Sequence, residues 1–327
     1  MKLRICFISS HRYDFSLKSH YNGGGWIEGL EALLANHADI DLTVLFLSNS
    51  DIKYVRNNIT YLPVKRFEYN LINRIYTRLG CFNTSKYRHY IREVLKYDLD
   101  NFDLIHIFGF ECFFIESYLH LNVQPPVVLH MQGILGSVLK SYFPPSFFKS
   151  PITVFRSLLD LCFFKGSFYE YRKLLKRAKL AEVVSSKIEF YTGRTYLDYS
   201  FFSTRTKNAH YFKIQEVIRP VFFEKSYKIR SDKGLKIVSV ISDNLFKGLR
   251  NIIDICEILS SCEVNFEWSV IGINEYSKTL RDMGQIVSLN LLNLKFLGTC
   301  SGKEIVEIFD SSDIYFHPSQ IENSSNS

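Results

Sequence analysis

The chain has 327 residues, of which 46% are apolar and 22% charged. That length admits two compact domains, and that balance excludes a disordered, collagen-like or coiled-coil chain. Forty Lys and Arg against 33 Asp and Glu leave a formal charge of +7, which suits a polyanionic ligand, an anionic membrane surface or nucleic acid without choosing among them.

Short apolar runs bounded by turn residues alternate with amphipathic segments, which predicts an α/β chain built on parallel sheets. The run Ile5-Cys6-Phe7-Ile8 follows directly on Met1–Arg4. It is too short for a signal peptide and reads as the core of a first strand, residues 3–9. After Gly23-Gly24-Gly25, residues 26–36 have helical spacing with Ile27, Leu30, Leu33 and Leu34 on one face. Further strands are predicted at 42–47, 104–108, 127–130 and 182–185. Residues 149–179 stand apart, with Phe155, Leu158, Leu159 and Phe163 preceding a basic run from Arg172 to Lys179. That segment is either a core helix followed by a solvated basic helix, or a surface that lies on an anionic bilayer.

Arg219-Pro220 and the charged stretch up to Lys233 read as an inter-domain connection. The expected division is 1–218, a linker at 219–233, and a second α/β domain at 234–327. In the second series, strands are predicted at 236–240, 266–271, 294–297 and 314–317, and helices at 249–259 and 302–310. No run of about 18 apolar residues occurs, so no spanning helix is predicted.

The seven cysteines form no Cys-x-x-Cys pair, which argues against a zinc site or a redox dithiol. Several lie in apolar runs and read as reduced, buried thiols of a cytoplasmic protein. No HExxH, GxSxG or Walker A pattern is present, and no nucleic-acid motif accompanies the charge. Asp39-Ile40-Asp41 and Asp98-Leu99-Asp100 have the form of a metal-binding triplet, but each precedes a strand and reads as a turn.

Four places could carry chemistry. The glycine run before the first helix is either a flexible turn or an anion cradle at a helix start. Lys247-Gly248, before the helix at 249, is either a surface lysine before a cap or a diphosphate site. His130 ends a strand where an open α/β sheet faces its ligand, as a donor to a phosphate or sugar hydroxyl or as a structural histidine. His106, inside a strand, reads as structural. Glu322 lies past the last strand in a loop rich in Asn and Ser, as a ligand contact or a solvated carboxylate.

Taken in order, Gly23-Gly24-Gly25-Trp26, Asp103–Ile107, Val128–Gly133, Ile237–Val240 with Phe246-Lys247-Gly248, and Phe296-Leu297-Gly298 with Ile314–Asn323 resemble a retaining glycosyltransferase of family 4. Gly193-Arg194-Thr195 and Arg219-Pro220 resemble its bacterial surface-polysaccharide branch. The resemblance implies the GT-B architecture, two Rossmann-like domains facing across a cleft. It implies a metal-independent hexosyltransferase with no cofactor, using a nucleotide-diphosphate sugar as co-substrate. The acceptor would be a saccharide or lipid-linked saccharide, in capsule, exopolysaccharide or lipopolysaccharide assembly at the inner face of the cell membrane. Glu322 matches the first glutamate of the Glu-x7-Glu motif, and Ser325, Asn326 and Ser327 match the stretch whose amides approach the donor sugar. Lys247 and Gly248 match the diphosphate site, Gly24 and Gly25 the loop that closes on the donor phosphate, and His130 the histidine near the reacting sugar. Gly272, Gly298 and Arg194 are candidate nucleotide or acceptor contacts. Ser242 stands where the family has an arginine, and the second glutamate would fall at 330. The chain therefore resembles a truncated member. An epimerase on the same fold, or an inactive sugar-nucleotide-binding fragment, are the other readings.

Overall fold

The computed structural model describes residues 2–12, 25–68, 84–109, 119–163, 165–224, 234–283 and 293–321. Its strands are β1 (Leu3–Arg12), β2 (Ile40–Ser48), β3 (Tyr54–Arg56), β4 (Ile59–Lys65), β5 (Leu104–Phe108), β6 (Val127–His130), β7 (Phe190–Gly193), β8 (His210–Lys213), β9 (Leu235–Val240), β10 (Phe266–Ile271), β11 (Leu294–Gly298) and β12 (Ile314–Tyr315). The helices are α1 (Gly25–Ala35), α2 (Thr84–Val94), α3 (Leu135–Lys140), α4 (Pro151–Cys162), α5 (Gly166–Ser185), α6 (Tyr196–Ser203), α7 (Leu249–Ser261), α8 (Lys278–Asp282) and α9 (Gly302–Asp310).

Eight strands form one sheet in the order β3-β4-β2-β1-β5-β6-β7-β8, and four form a second in the order β11-β10-β9-β12. Among the described residues all pairings are parallel except β3 with β4. That hairpin turns at Asn57 and Asn58, both in the left-handed region with φ of 51° and 62°, a conformation asparagine tolerates well.

Successive side chains of a strand point to opposite faces, so a sheet buried on both sides needs two helical layers. On one face of the first sheet, Ile5, Phe7, Val44, Phe46 and Phe108 pack with Trp26 and Ile27 of α1. On the other, Cys6, Ile8, Leu45, Ile105 and Ile107 pack with Tyr90 and Val94 of α2 and Ala178, Ala181 and Val184 of α5. The second sheet buries Ile237, Trp268 and Val270 against Ile252, Ile253 and Cys256 of α7.

Two expectations fail here. Residues 182–185 are the last turn of α5 rather than a strand. Val183-Val184 alone suggests a strand, but Ala178, Ala181, Val184 and Ser185 continue the buried stripe of a 20-residue helix, and that longer period decides. The strand comes later, at β7, and β3, β4 and β8 add to those predicted. In α1, Leu33 is exposed while Trp26 and Glu31 turn inward. At 100° per residue Leu33 lies well round the helix from Ile27, whereas Glu31 and Leu34 lie over it.

Two clusters join the sheets. Tyr142, Phe147 and Leu245 form a buried core with Phe143, Phe168, Tyr171 and Phe246 around it. The Ser167 hydroxyl donates to the Asp282 carboxylate, and Lys278 lies 3.9 Å from Glu170. The connecting strap touches both halves. A Cβ on Gly29 of α1 would lie 2.6 Å from the Val217 carbonyl, and Gly302 of α9 abuts Val221 and Arg219.

Candidate functional site

In an open parallel sheet, neighbouring connections diverge at a topological switch point, and the crevice at the strands' carboxyl ends receives the ligand. The second sheet has its switch at β9, whose neighbours are β10 and β12. The loops leaving β9 and β12 meet there. Gly248 has φ 79°, and a Cβ on it would lie 1.9 Å from the Pro318 carbonyl oxygen, so only glycine fits this approach. The Gln320 amide donates to the Phe246 carbonyl at 3.0 Å, and Asn251 Nδ2 donates to the Pro318 carbonyl at 2.9 Å. Lys247 sits in this joint, its Nζ 5.6 Å from the Phe246 ring centroid.

Gly248 is also the N-cap of α7, and among the described residues no side chain caps that end. The start of this 13-residue helix presents positive potential beside the Lys247 ammonium. Asp243, on the same loop, accepts from the backbone amides of Lys278 and Thr279, both at 2.8 Å, which docks α8 alongside.

Gly272 and Gly298 follow at the carboxyl ends of β10 and β11. A Cβ on Gly272 would lie 2.0 Å from the Ile241 carbonyl oxygen, and the Gly272 amide donates to the Gly298 carbonyl at 2.6 Å. Glycine is therefore demanded at 272 by the adjacent chain. At Gly298 the requirement is the left-handed φ of 67°, since nothing lies within 4 Å of its would-be Cβ.

In the first sheet His130 closes β6 and is fully buried. Parallel register pairs His130 with Thr192 and His106 with Val128, so these side chains share one face. The Thr192 hydroxyl lies 2.8 Å from His130 Nδ1 and 3.1 Å from His106 Nε2. Trp26, the second residue of α1, packs on the His130 ring at 4.7 Å between centroids, which brings the Gly25 end of α1 to the histidine. His130 Nε2 is buried with no hydrogen-bond partner among the described residues.

Burial holds both imidazoles neutral. His106 is depressed to about 3 by desolvation. His130 falls well below the usual histidine range through desolvation, then His106 and the Arg194 cation. A hydroxyl has one proton and two lone pairs, so Thr192 couples the two tautomers. If His106 Nε2 donates to Thr192, the hydroxyl proton is left for His130 Nδ1. His130 Nε2 then carries hydrogen and is a neutral donor, suited to a hydroxyl or carbonyl oxygen.

Arg194 is buried and engaged with the protein. Its guanidinium pairs with Glu216 and donates to the Gln132 carbonyl at 3.0 Å, while its amide donates to Asp198 at 2.8 Å. It thereby fixes the segment that follows His130. The residues 142–143 beyond that segment pack on Leu245 and Phe246, next to Lys247. The loops that leave the carboxyl ends of β6 and β9 thus meet in this cluster.

Glu322, Ser325, Asn326, Ser327 and Gly24 lie outside the described residues. Both Asp-x-Asp triplets sit at amino ends of strands, where Asp100 accepts from the Gln124 amide and Asp98 from Asn101, each at 2.7 Å. Among the described residues no group of three or more His, Cys, Asp or Glu side chains is arranged to hold a metal ion. Two surface concavities, beside β6 and β7 and beneath β9–β11, open at amino edges, away from this site. Sequence reasoning missed Thr192 and the role of His106. Their signal is only the sheet order, which places β5, β6 and β7 side by side.

No family model matches this chain, and no curated protein matches it. Solved structures do. Sucrose-phosphate synthase from Thermosynechococcus elongatus superposes with a TM-score of 0.66 at 11% identity, over 99% of this chain and 77% of that one. Anabaena Alr3699/HepE, solved in complex with UDP and glucose, gives 0.55 at 12% identity, over 97% and 74%. The fold is GT-B. WaaG, a glycosyltransferase involved in lipopolysaccharide biosynthesis, gives 0.53 at 13% identity, over 96% and 75%. At these identities the GT-B likeness is one of fold, and chemistry must be argued from the site.

Proposed function

We propose that this GT-B chain is a retaining, metal-independent hexosyltransferase that moves a sugar from a nucleotide-diphosphate donor to an acceptor hydroxyl. The observation that supports the reading is the meeting of the loops that leave β6 and β9, with a neutral, buried His130 at the end of one strand and Lys247 beside the start of α7 after the other. Residues 1–218 form the acceptor side and 234–327 the donor side in this reading, joined through 219–233.

The demanding step is departure of the nucleoside diphosphate from an oxocarbenium-like sugar. Negative charge grows on the bridging oxygen, where the Lys247 ammonium and the α7 amides stabilise it. Gly248 and Gly272 let the loops around the donor site close on one another, and Gly24 and Gly25 close on the phosphate from the first domain. His130 orients a sugar hydroxyl without adding charge, and Glu322 with the 325–327 amides holds the rest of the sugar. The acceptor hydroxyl attacks from the face the diphosphate leaves, its proton passing to the departing phosphate oxygen, so configuration is kept. The acceptor is a saccharide or lipid-linked saccharide of a bacterial surface polysaccharide. An anionic membrane surface is the partner such an acceptor entails.

The test is turnover of UDP-sugars with and without saccharide acceptors, followed by product analysis. Transfer with retained anomeric configuration is expected, and Lys247→Ala should slow it by raising the activation free energy about 2–4 kcal/mol while the urea midpoint stays put. A free epimer formed without acceptor would assign an epimerase instead. Donor binding without turnover would assign a binding protein.

A further inference from the structure

Helix α4 is inverted. Its polar residues Thr153 and Ser157 face the protein and are 6% and 3% exposed. Its large apolar residues face out, with Ile152 at 81% and Phe155 at 64%, followed by Leu159 and the exposed Cys162. Phe148 just before the helix and Phe163 just after it extend the patch, at 59% and 69%. At 100° per residue, positions 152, 155, 159, 162 and 163 lie on one face, roughly opposite 153 and 157. The helix is not a misplaced core element. Ser150 caps it by accepting from the Thr153 amide, Pro151 opens it, and Val154 packs inward on the Tyr142–Phe147–Leu245 cluster.

Charge selects what covers this face. Residues 140–179 carry nine Lys and Arg against two acids, Asp160 and Glu170, while the rest of the chain carries equal numbers of each sign. The whole +7 excess therefore lies in the segment that bears the apolar face. Lys149, Arg156 and Lys165 are exposed around it. Of the two acids, Asp160 lies 3.6 Å from Lys165 and Glu170 is 3.0 Å from Lys173. An apolar face rimmed by cations suits the interface of an anionic bilayer, where rings and aliphatic chains enter the acyl boundary and the cations meet headgroups. No helix among the described residues is long and apolar enough to cross a membrane, so contact would be with one leaflet.

We infer that α4, with Phe148 and Phe163, docks this protein on an anionic lipid surface. Because α4 rests on the cluster that joins Tyr142 to Leu245 and Phe246, docking sets the carboxyl-edge site at the lipid boundary. The consequence for the acceptor, that it is lipid-anchored, rests on the sugar-transfer reading; the docking itself does not.

The experiment is sedimentation with phosphatidylcholine vesicles with and without phosphatidylglycerol, beside analytical ultracentrifugation without lipid. The chain should sediment with anionic vesicles only, and added salt should release it. The double variant I152E/F155E should lower binding by about tenfold or more, with an unchanged urea midpoint because both side chains are exposed. K149E/R156E should lower binding at low salt. A protein left in the supernatant at low salt, or I152E/F155E binding like the parent, would overturn the inference. So would a dimer that I152E/F155E dissociates without any vesicle binding, which would give the face to a second copy. Vesicle binding needs no turnover, so binding without transfer overturns the sugar-transfer reading and leaves the docking face intact.

Discussion

Helices α4 and α7 are nearly equal in length, and both carry a clean apolar stripe. In α7 that stripe, Ile252, Ile253 and Cys256, is fully buried beneath the second sheet. In α4 the stripe faces outward and the polar side is buried. Amphipathic spacing thus fixes that a helix has two faces, and says nothing of which one meets the protein. The histidine pair breaks the same rule from the other direction: His106 and His130 are polar groups held in a dry interior. An exposed apolar stripe and a buried polar pair are both informative departures from ordinary burial.

The largest expected contrast is between the two stripes. Ile253→Ala should destabilise the chain by about 2–5 kcal/mol, through lost transfer energy and the cavity left behind. Ile152→Ala should stay within about 0.5 kcal/mol. Urea unfolding of both variants measures the difference, and equal losses would show that α4 is buried in solution.

Next in size is the acid response of the buried histidines. Both have folded pKa values below that of the unfolded chain, so both states are neutral above about pH 6.5 and stability is full there. As pH falls through 6.5 the unfolded chain gains protons that the folded one refuses until about 3 in the case of His106. Stability should fall by about 2 kcal/mol through His106 between pH 7.5 and pH 5, and further in the same direction through His130. Urea midpoints at the two pH values check this, and His106→Gln should flatten the slope.

The smallest effect is also the most specific. Thr192→Val should cost about 1 kcal/mol of stability through the two lost hydrogen bonds. It should also change the tautomer of His130, read from 15N shifts of the imidazole. Thr192→Ser keeps the hydroxyl and should restore the parent spectrum. A His130 tautomer indifferent to both variants would detach Thr192 from the site.

Much of the local structure was legible. Residues 104–108, 127–130, 266–271 and 302–310 fall where the sequence puts them, because each is a short apolar or amphipathic run between strong turn residues. Gly248 and Gly272 were legible only as candidate ligand contacts, and the carbonyls of Pro318 and Ile241 that require glycine there appear only in the fold. The strand expected at 182–185 was misread because two adjacent valines weigh heavily in a four-residue window. A 20-residue helix outweighs them only when the whole period is followed. Lys247 and His130 were legible as candidates from their place after β9 and at the end of β6. What each faces was not.

Periodicity and backbone chemistry over a few residues specify the alternation of strands and helices, the two series of them, and the turn residues that end each element. Tertiary structure alone decided the strand order that brings Thr192 to two histidines 62 and 86 residues away, the contact of the 248 and 318 loops, and the outward face of α4. Those depend on which surfaces remain to be covered once both sheets have packed, and no local window contains that information.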